Sequence, residues 1–459
     1  MPGSVRVLLI NPPGLPGTTP NREGSAGMGA QETREGGFSY PPHTLATVAA
    51  TLRAAGHSVT ALDAGPHLLP AGCDPQAGMQ FVDGLRQYQA DVIGVYVSWA
   101  TRDADNCFLS LLKDVGLGAH IVALGPSTRY MAQDLAGADH VLEGEPELAF
   151  PLLCQRLCDG DSGLPRIVTP ALLGAPGYNA DGLLTDLDAL PPPAWDLLPY
   201  GSYPYLTVMA SRGCTADCRW CPYVVAQGNR YRRRSPESVV AEVRGLVQRY
   251  RPQRIVFRDP VFAHDRAQVV ALCNLMVRDR VLKPGKNLLW ECESRPDGLD
   301  PALIRLMHVA GCIGVKLGLE TVDPDVLQRQ GRVSGAQGVR DYLARTESVV
   351  AACRRYGVSA RLFVLLGLPG ETTAGAHATA DLVERMGPCA LTIKTLERYP
   401  GVRLAPTEPL PSVDPAALAA LQRAQRTVRG LAGRSAPRWR RALGRLVDRA
   451  WFVLRGTSV

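Results

Sequence analysis

The sequence predicts an α/β protein of two units in series: an open five-stranded parallel sheet, then a partial parallel barrel of six strand-helix repeats, with a short helical tail. Two observations carry that prediction. Short apolar runs alternate with helix-periodic stretches through the first third of the chain and again from about residue 205. A stretch rich in Pro, Gly and Leu, ending in "ALPPPAWDLLPY", separates the two series. The expected divisions are residues 1–164, a linker over 165–204, the barrel over 205–402 and a helical segment over 403–459; with 459 residues the chain is long enough for several buried cores.

In order, "VRVLLIN" (Val5 to Asn11) reads as a buried strand and "HTLATVAATLRAAG" as a helix stopped at Gly56, the usual place for a left-handed cap. "HSVTALD" is a second strand, followed by a helix near Gln76 to Tyr88; "DVIGVYV" is a third, followed by a helix from about Asp103. "HIVALG" precedes a helix from Arg129, and "DHVLEG" precedes the last helix of the series. Open parallel sheets bind ligands at the carboxyl ends of their strands, where "NPPG", "VSWAT", "LGPST" and "EGEPE" lie. The second series runs "YLTVMAS", "RIVFRD", "NLLWECES", "GVKLGLE", "SARLFVLLG" and "ALTIKTLE", each strand followed by a helix, the first of them capped by Ser235. In barrels of this kind chemistry sits on the loops after the strands. Asp259, Glu293, Glu320 and Glu371 all follow later strands, so one mouth would collect them.

Composition narrows the class. With 46% hydrophobic and 20% charged residues the chain is neither disordered nor fibrous, and no apolar run approaches the roughly 18 residues of a membrane span. The start lacks a signal-peptide pattern, and the twelve cysteines are mostly scattered singly, which predicts a reduced, cytoplasmic setting. A formal charge of +7, much of it near the C-terminal end, does not describe a nucleic-acid surface. "RWRRALGRLVDRAWFVLRG" places Trp439, Leu443, Leu446, Val447, Ala450 and Leu454 on one helical face, predicting packing against the barrel, with peripheral membrane contact as the alternative. The glycine-rich segment from Gly14 to Tyr40 is too long for a simple connection, and reads as a lid or as disorder.

The stretch "SRGCTADCRWCPY" brings Cys214, Cys218 and Cys221 into one loop after the first barrel strand. Structural zinc would have to borrow a distant fourth ligand, and a dithiol pair of Cys218 and Cys221 would leave Cys214 unexplained. A four-iron cluster held by three thiolates leaves one iron open. Cys273, Cys292, Cys312, Cys353 and Cys389 are widely separated along the chain and read as buried small hydrophobes, and Cys154 and Cys158, one helical turn apart, read as structural too.

The spacing C-x-x-x-C-x-aromatic-C, with Trp220 as the aromatic residue, resembles the signature of the radical S-adenosylmethionine (SAM) enzymes. The resemblance implies a [4Fe-4S] cluster on Cys214, Cys218 and Cys221, with SAM on the open iron. "FRDPVF", "ECESRPDGLD", "LGLET" and "LLGLPGET" resemble this superfamily's cofactor-contacting segments, and imply SAM contacts at Asp259, Glu293, Arg295, Glu320, Gly367 and Gly370. The N-terminal series resembles the Rossmann-like cobalamin domain of the cobalamin-dependent branch, and the second its TIM-like barrel. Cobalamin contacts are then implied at Asn11, Pro12, Ser98, Thr101, Gly125, Glu143, Gly144 and Glu145. The axial-histidine motif of other cobalamin proteins is absent, since Asp63 and His67 have the wrong spacing.

What the resemblance implies is a methyltransferase that moves a methyl from SAM via methylcobalamin to an unactivated carbon, or to a phosphinate phosphorus, of a specialised metabolite or lipid. A cobalamin-dependent cyclase or ring-rearranging oxidase and a non-catalytic cobalamin sensor are the alternatives. The implied partners are a small-molecule substrate and an external electron donor such as flavodoxin or ferredoxin, with no nucleic acid.

Overall fold

A computed structural model of the chain describes residues 4–15, 18–32, 40–65, 75–404, 407–410 and 412–435. The amphipathic tail around Trp439 and the position of His67 lie outside the described residues. The described chain divides between Tyr203 and Pro204 into two compact units.

The first unit contains β1 (Arg6–Asn11), β2 (Thr19–Asn21), β3 (Ala30–Glu32), β4 (Ser58–Asp63), β5 (Val92–Tyr96), β6 (His120–Leu124), β7 (His140–Leu142) and β8 (Ile167–Val168). Six of these form a parallel sheet in the order β4-β1-β5-β6-β7-β8, while β2 and β3 pair with each other as a small antiparallel ribbon. The five expected strands are present, and the sixth, β8, comes from the segment expected as a linker, which joins the sheet beside β7. The order reverses between β1 and β5, so the crevice of this sheet opens beyond Asn11 and Tyr96.

Helices α1 (His43–Ala54), α2 (Pro75–Asp83), α3 (Arg102–Val115) and α4 (Ala149–Cys158) are the crossovers of this unit. Gly56 ends α1 at φ 88°, as its position predicts. The helix expected from Arg129 is instead a 3-10 turn at Thr128–Tyr130 followed by irregular turns. There the chain must bring Gly137 against the backbone of Leu109 in α3, an approach that leaves no room for a Cβ. The core joins Leu8, Ile10, Ile93 and Val95 from the strands to Phe108 and Leu112 from α3.

The second unit carries β9 (Leu206–Val208), β10 (Ser211–Arg212), β11 (Arg232–Arg233), β12 (Ile255–Phe257), β13 (Trp290–Ser294), β14 (Cys312–Glu320), β15 (Ser359–Leu366) and β16 (Ala390–Thr395). Its main sheet is parallel and strictly sequential, β9-β12-β13-β14-β15-β16, with β9 and β16 unpaired to one another: six strands of an unclosed barrel. The connections are α5 (Pro222–Gln227), α6 (Pro236–Arg249), α7 (Arg266–Arg278), α8 (Pro301–Val309), α9 (Pro324–Arg329), α10 (Gly335–Tyr356) and α11 (Thr373–Met386), and α12 (Pro415–Ser435) packs after β16. Ser235 caps α6 by accepting from the Ser238 amide.

Side chains alternate across this sheet. One parity, with Cys292, Val315, Leu317, Leu319, Leu362 and Val364, is buried. Trp290 is fully buried on this side, lies edge-on to Phe257 at 5.4 Å and donates its indole N–H to the Ala310 carbonyl; such an aromatic pair adds about 0.5–1.5 kcal/mol beyond its burial. The other parity is half-buried and charged, and it builds the site.

Candidate functional sites

The cysteine loop of the second unit is closed by β10 and β11, which pair antiparallel with Ser211 opposite Arg233 and Arg212 opposite Arg232. Inside that clasp Gly213 takes φ 79° and lies so close to the Arg230 carbonyl that no side chain fits. The Cys214 amide donates to the Gly228 carbonyl, and Pro222 starts α5 directly after Cys221. Cys214 and Cys218 are buried and Cys221 is half-buried.

Two guanidiniums face one of these thiols. Arg295 Nη1 lies 3.5 Å and Arg332 Nη1 3.6 Å from Cys218 Sγ, while the Ala216 amide donates to Cys214 Sγ. Burial pushes the Cys221 thiol up to about 12, and its neighbours Cys218 and Cys214 add to the effect. A dithiol redox pair works through a lowered thiol pKa, which burial opposes at Cys221. Among the described residues no three His, Cys, Asp or Glu side chains converge on a single-ion site. A cluster does not require that convergence, because each thiolate holds a different iron. The donor set, its burial and its facing cations therefore fit a [4Fe-4S] cluster.

Residues 396–404 and 407–410 reach back over the same loop. Arg219 meets Glu408 at 3.1 Å and the Arg403 carbonyl, Arg403 pairs with Asp217, and Leu396 and Leu404 join Cys218 and Trp220 in one apolar cluster with Leu365 and Leu368. No sequence pattern marked these residues.

The open face of the barrel sheet carries the charges. Glu293, Lys316 and Arg361 stand in one row across β13, β14 and β15. Glu293 accepts from Lys316 Nζ at 3.4 Å and from the Tyr223 hydroxyl at 3.3 Å, and Arg258 approaches to 3.6 Å. Burial opposes its ionisation, but the charges of Lys316, Arg258 and Lys394 hold its carboxyl at about 2. Lys394, on β16, is exposed and sits over the Phe363 ring at 4.9 Å. Sequence reasoning named Glu293 but missed Lys316 and Lys394, whose only local signal is a lysine at a period-two position within a barrel strand.

The other expected SAM contacts fall into two groups. Glu320 ends β14 at a register shift with φ 66°, a conformation that is costly for a residue with a Cβ, and lies 3.9 Å from Arg332. Gly367 and Gly370 both take positive φ, and the Gly367 amide donates to Glu371. Glu320, Gly367 and Gly370 lie at or just beyond the ends of two adjacent strands, β14 and β15. Asp259 is different: it is buried, accepts from the Ser211 hydroxyl at 2.6 Å and from the Ala210 amide, and so anchors the start of the cysteine loop. Burial raises its carboxyl to about 6 despite those bonds.

In the first unit, Asn11, Pro12, Ser98 and Thr101 do meet at the crevice of the sheet, around a residue that sequence reasoning missed. The buried Arg22, from β2 and the turn beyond it, donates to Asp105 Oδ1 at 2.9 Å, to Asn11 Oδ1 at 3.1 Å and to the Pro12 carbonyl. Asp105 Oδ2 in turn accepts from the Ser98 amide and the Thr101 hydroxyl, and Asn11 donates to Asp63, which also accepts from Tyr203. Gly125 is pressed against the Val97 carbonyl, and Gly144 against Gly182. The Glu143 amide donates to Val168, and Glu145 accepts from the Leu184 amide. A cobalamin held at these loops would meet backbone and shape more than free polar side chains. The described histidines of this unit are engaged or lie at strand starts: His43 packs on Trp195, His57 meets the Pro151 carbonyl, and His120 and His140 begin β6 and β7.

Residues 208–383 match the family model described as the Radical SAM superfamily. An uncharacterized methyltransferase of Pyrococcus horikoshii is 24% identical over 70% of this chain and 70% of its own length. The tryptophan 2-C-methyltransferase of Streptomyces laurentii is 30% identical over 50% of this chain, which spans only 37% of that relative. Among solved structures, the radical SAM methyltransferase TsrM of Kitasatospora setae, with cobalamin and a [4Fe-4S] cluster bound, aligns with a TM-score of 0.65 at 19% identity over 87% of this chain and 77% of its own. Residues 208–383 therefore form a radical SAM domain, and the chain shares the fold of the cobalamin-bound methyltransferase structure with which it aligns.

Proposed function

We propose that this protein is a cobalamin-dependent radical SAM methyltransferase, moving a methyl group from SAM by way of cobalamin to an unactivated carbon or a phosphinate phosphorus of a small molecule. The observation that carries the reading is the cysteine loop: three thiols, two buried and one half-buried, after the first strand of a sequential six-stranded parallel sheet, with two guanidiniums facing Cys218, in a chain that also holds an open parallel sheet. When bound, the cluster supplies an electron for SAM cleavage and cobalamin a carrier for the methyl group.

The chain's own residues then bind and orient. Cys214, Cys218 and Cys221 would each hold one iron. Glu293, ionised across the working pH range, is suited to the ammonium of the methionyl end, and the surrounding Lys316, Arg258 and Lys394 to carboxylate groups. Glu320 is suited to ribose hydroxyls and the turn at Gly367 and Gly370 to close backbone approach by the adenine. Asn11, Pro12, Ser98, Thr101, Gly125, Glu143, Gly144 and Glu145 form the proposed cobalamin-facing loops. Asp259 acts on the cluster loop through Ser211 rather than on the ligand.

The tryptophan methyltransferase among the relatives supports a small-molecule acceptor. An external electron donor of the flavodoxin or ferredoxin type and a cytoplasmic setting belong to the same proposal. No helix of the described residues is long and apolar enough to cross a membrane.

The test is anaerobic incubation of cluster-reconstituted protein with cobalamin, reductant and SAM, following S-adenosylhomocysteine and 5'-deoxyadenosine. Cobalamin-dependent release of S-adenosylhomocysteine is the expected result. 5'-Deoxyadenosine alone points to the cyclase or oxidase, and neither product to a sensor.

A further inference from the structure

We infer that Arg295 and Arg332 are redox-tuning residues: together they donate two charge-assisted hydrogen bonds to Cys218 and raise the reduction potential of the cluster held there. The inference rests on the reading of Cys214, Cys218 and Cys221 as cluster ligands, but not on the reaction or its substrate.

The geometry is specific to one sulfur. Both guanidiniums place Nη1 within hydrogen-bonding reach of Cys218 Sγ, at 3.5 and 3.6 Å. Each is held there by other contacts. Arg295 is fixed by Asp297, at 2.7 Å, and by the Arg332 carbonyl, at 2.9 Å. Arg332 donates to the Tyr342 hydroxyl and the Gly318 carbonyl and stacks on the Tyr342 ring, with its guanidinium 5.4 Å from the ring centroid. Their side chains are 15% and 7% exposed. Two neighbouring cations with so little water are costly unless an anion faces them. Asp297 and Glu320 answer the outer side of the pair, and the inner side points at the thiol.

A thiolate on iron becomes more electron-rich when the cluster takes up an electron. Hydrogen bonds and positive charge at that sulfur therefore stabilise the reduced form more than the oxidised one, which raises the potential. The reaction concerned is a one-electron reduction of the cluster by the external donor, with no change in the protonation of the arginines, whose charge is fixed in this range.

The experiment is a mediated redox titration of the reconstituted full chain, without SAM, read by the electron paramagnetic resonance signal of the reduced cluster. Iron and sulfide are quantified in every sample. Arg332→Met and Arg295→Met should each cut the ratio of reduced to oxidised cluster at a fixed potential about tenfold, roughly 59 mV for a one-electron couple. Arg332→Lys, which keeps the charge but loses the planar fork, should cut it only about threefold. Arg219→Gln, which alters the same loop without touching a cysteine sulfur, should leave the ratio unchanged.

Wild-type ratios in a fully loaded Arg295→Met and in Arg332→Lys overturn the inference, as does an equal drop in Arg219→Gln, which would mark a general loosening of the loop. If Arg332→Met fails to load, Arg295→Met and Arg332→Lys decide alone. Wild-type protein that binds no iron and sulfide instead removes the cluster reading itself.

Discussion

The two parallel sheets end in mouths that solve different problems. At the crevice of the first sheet the polar groups answer one another: Arg22 with Asp105, Asn11 with Asp63, Ser98 and Thr101 with Asp105. On the barrel sheet the cations Arg258, Lys316 and Lys394 surround Glu293, and the Cys218 thiol faces two arginines. The first mouth is satisfied from within, so a ligand bound there would meet shape and backbone more than free side chains. The second gathers several cations and carboxylates at the strand ends, and its ion pairs are the half-buried kind that a charged ligand can exchange with.

The largest effect is expected at the thiols. Cys218→Ala should abolish iron-sulfur loading and SAM cleavage, while circular dichroism of the full chain stays close to wild type, because the buried parity of the barrel sheet is untouched. Iron analysis after reconstitution reads the first effect directly.

Next in size is the first mouth. Asp105→Ala leaves the fully buried Arg22 facing an empty place and should destabilise the protein by about 3–5 kcal/mol in denaturant unfolding. Adding Arg22→Met to Asp105→Ala should recover much of that loss, since no buried charge then remains. Additive losses would show that the two residues do not form one unit.

The pH dependence of stability separates two carboxylates of the barrel. Glu293, at about 2, lies below the ordinary 4.5, so its contribution is present above about 4.5 and is lost as the pH falls toward 2. Asp259, at about 6, lies above 3.8, so stability is greatest below that value and declines as the pH rises through 6. Glu293→Gln should flatten the acid limb, and Asp259→Asn should flatten the decline between about 4 and 6. The smallest effect is at the edge of the first network: Tyr203→Phe removes one hydrogen bond to Asp63 and should cost about 1 kcal/mol.

Much of this molecule was legible locally. All eleven expected sheet strands are present, because apolar runs of five or six residues bounded by breakers have few alternatives once helices alternate with them. The Gly56 stop and the Ser235 cap were legible for the same reason, being properties of single turns. The segment from Arg129 was not: its apolar residues suit a helix, but close packing of Gly137 on α3 decides the local conformation. Nor was β8, whose two residues acquire strand character only by adding to the edge of β7.

The sequence by itself determined the alternation of elements and the cluster loop, with three cysteines and a tryptophan within eight residues of chain. Only the tertiary structure decided what surrounds them. Arg22 and Asp105 are 83 residues apart, Arg332 and Cys218 114, and Arg219 and Glu408 189. Periodicity and spacing report how a chain folds on itself over a few turns. Pairings across such distances depend on strand order and register, which bring side chains together only after the sheets have formed.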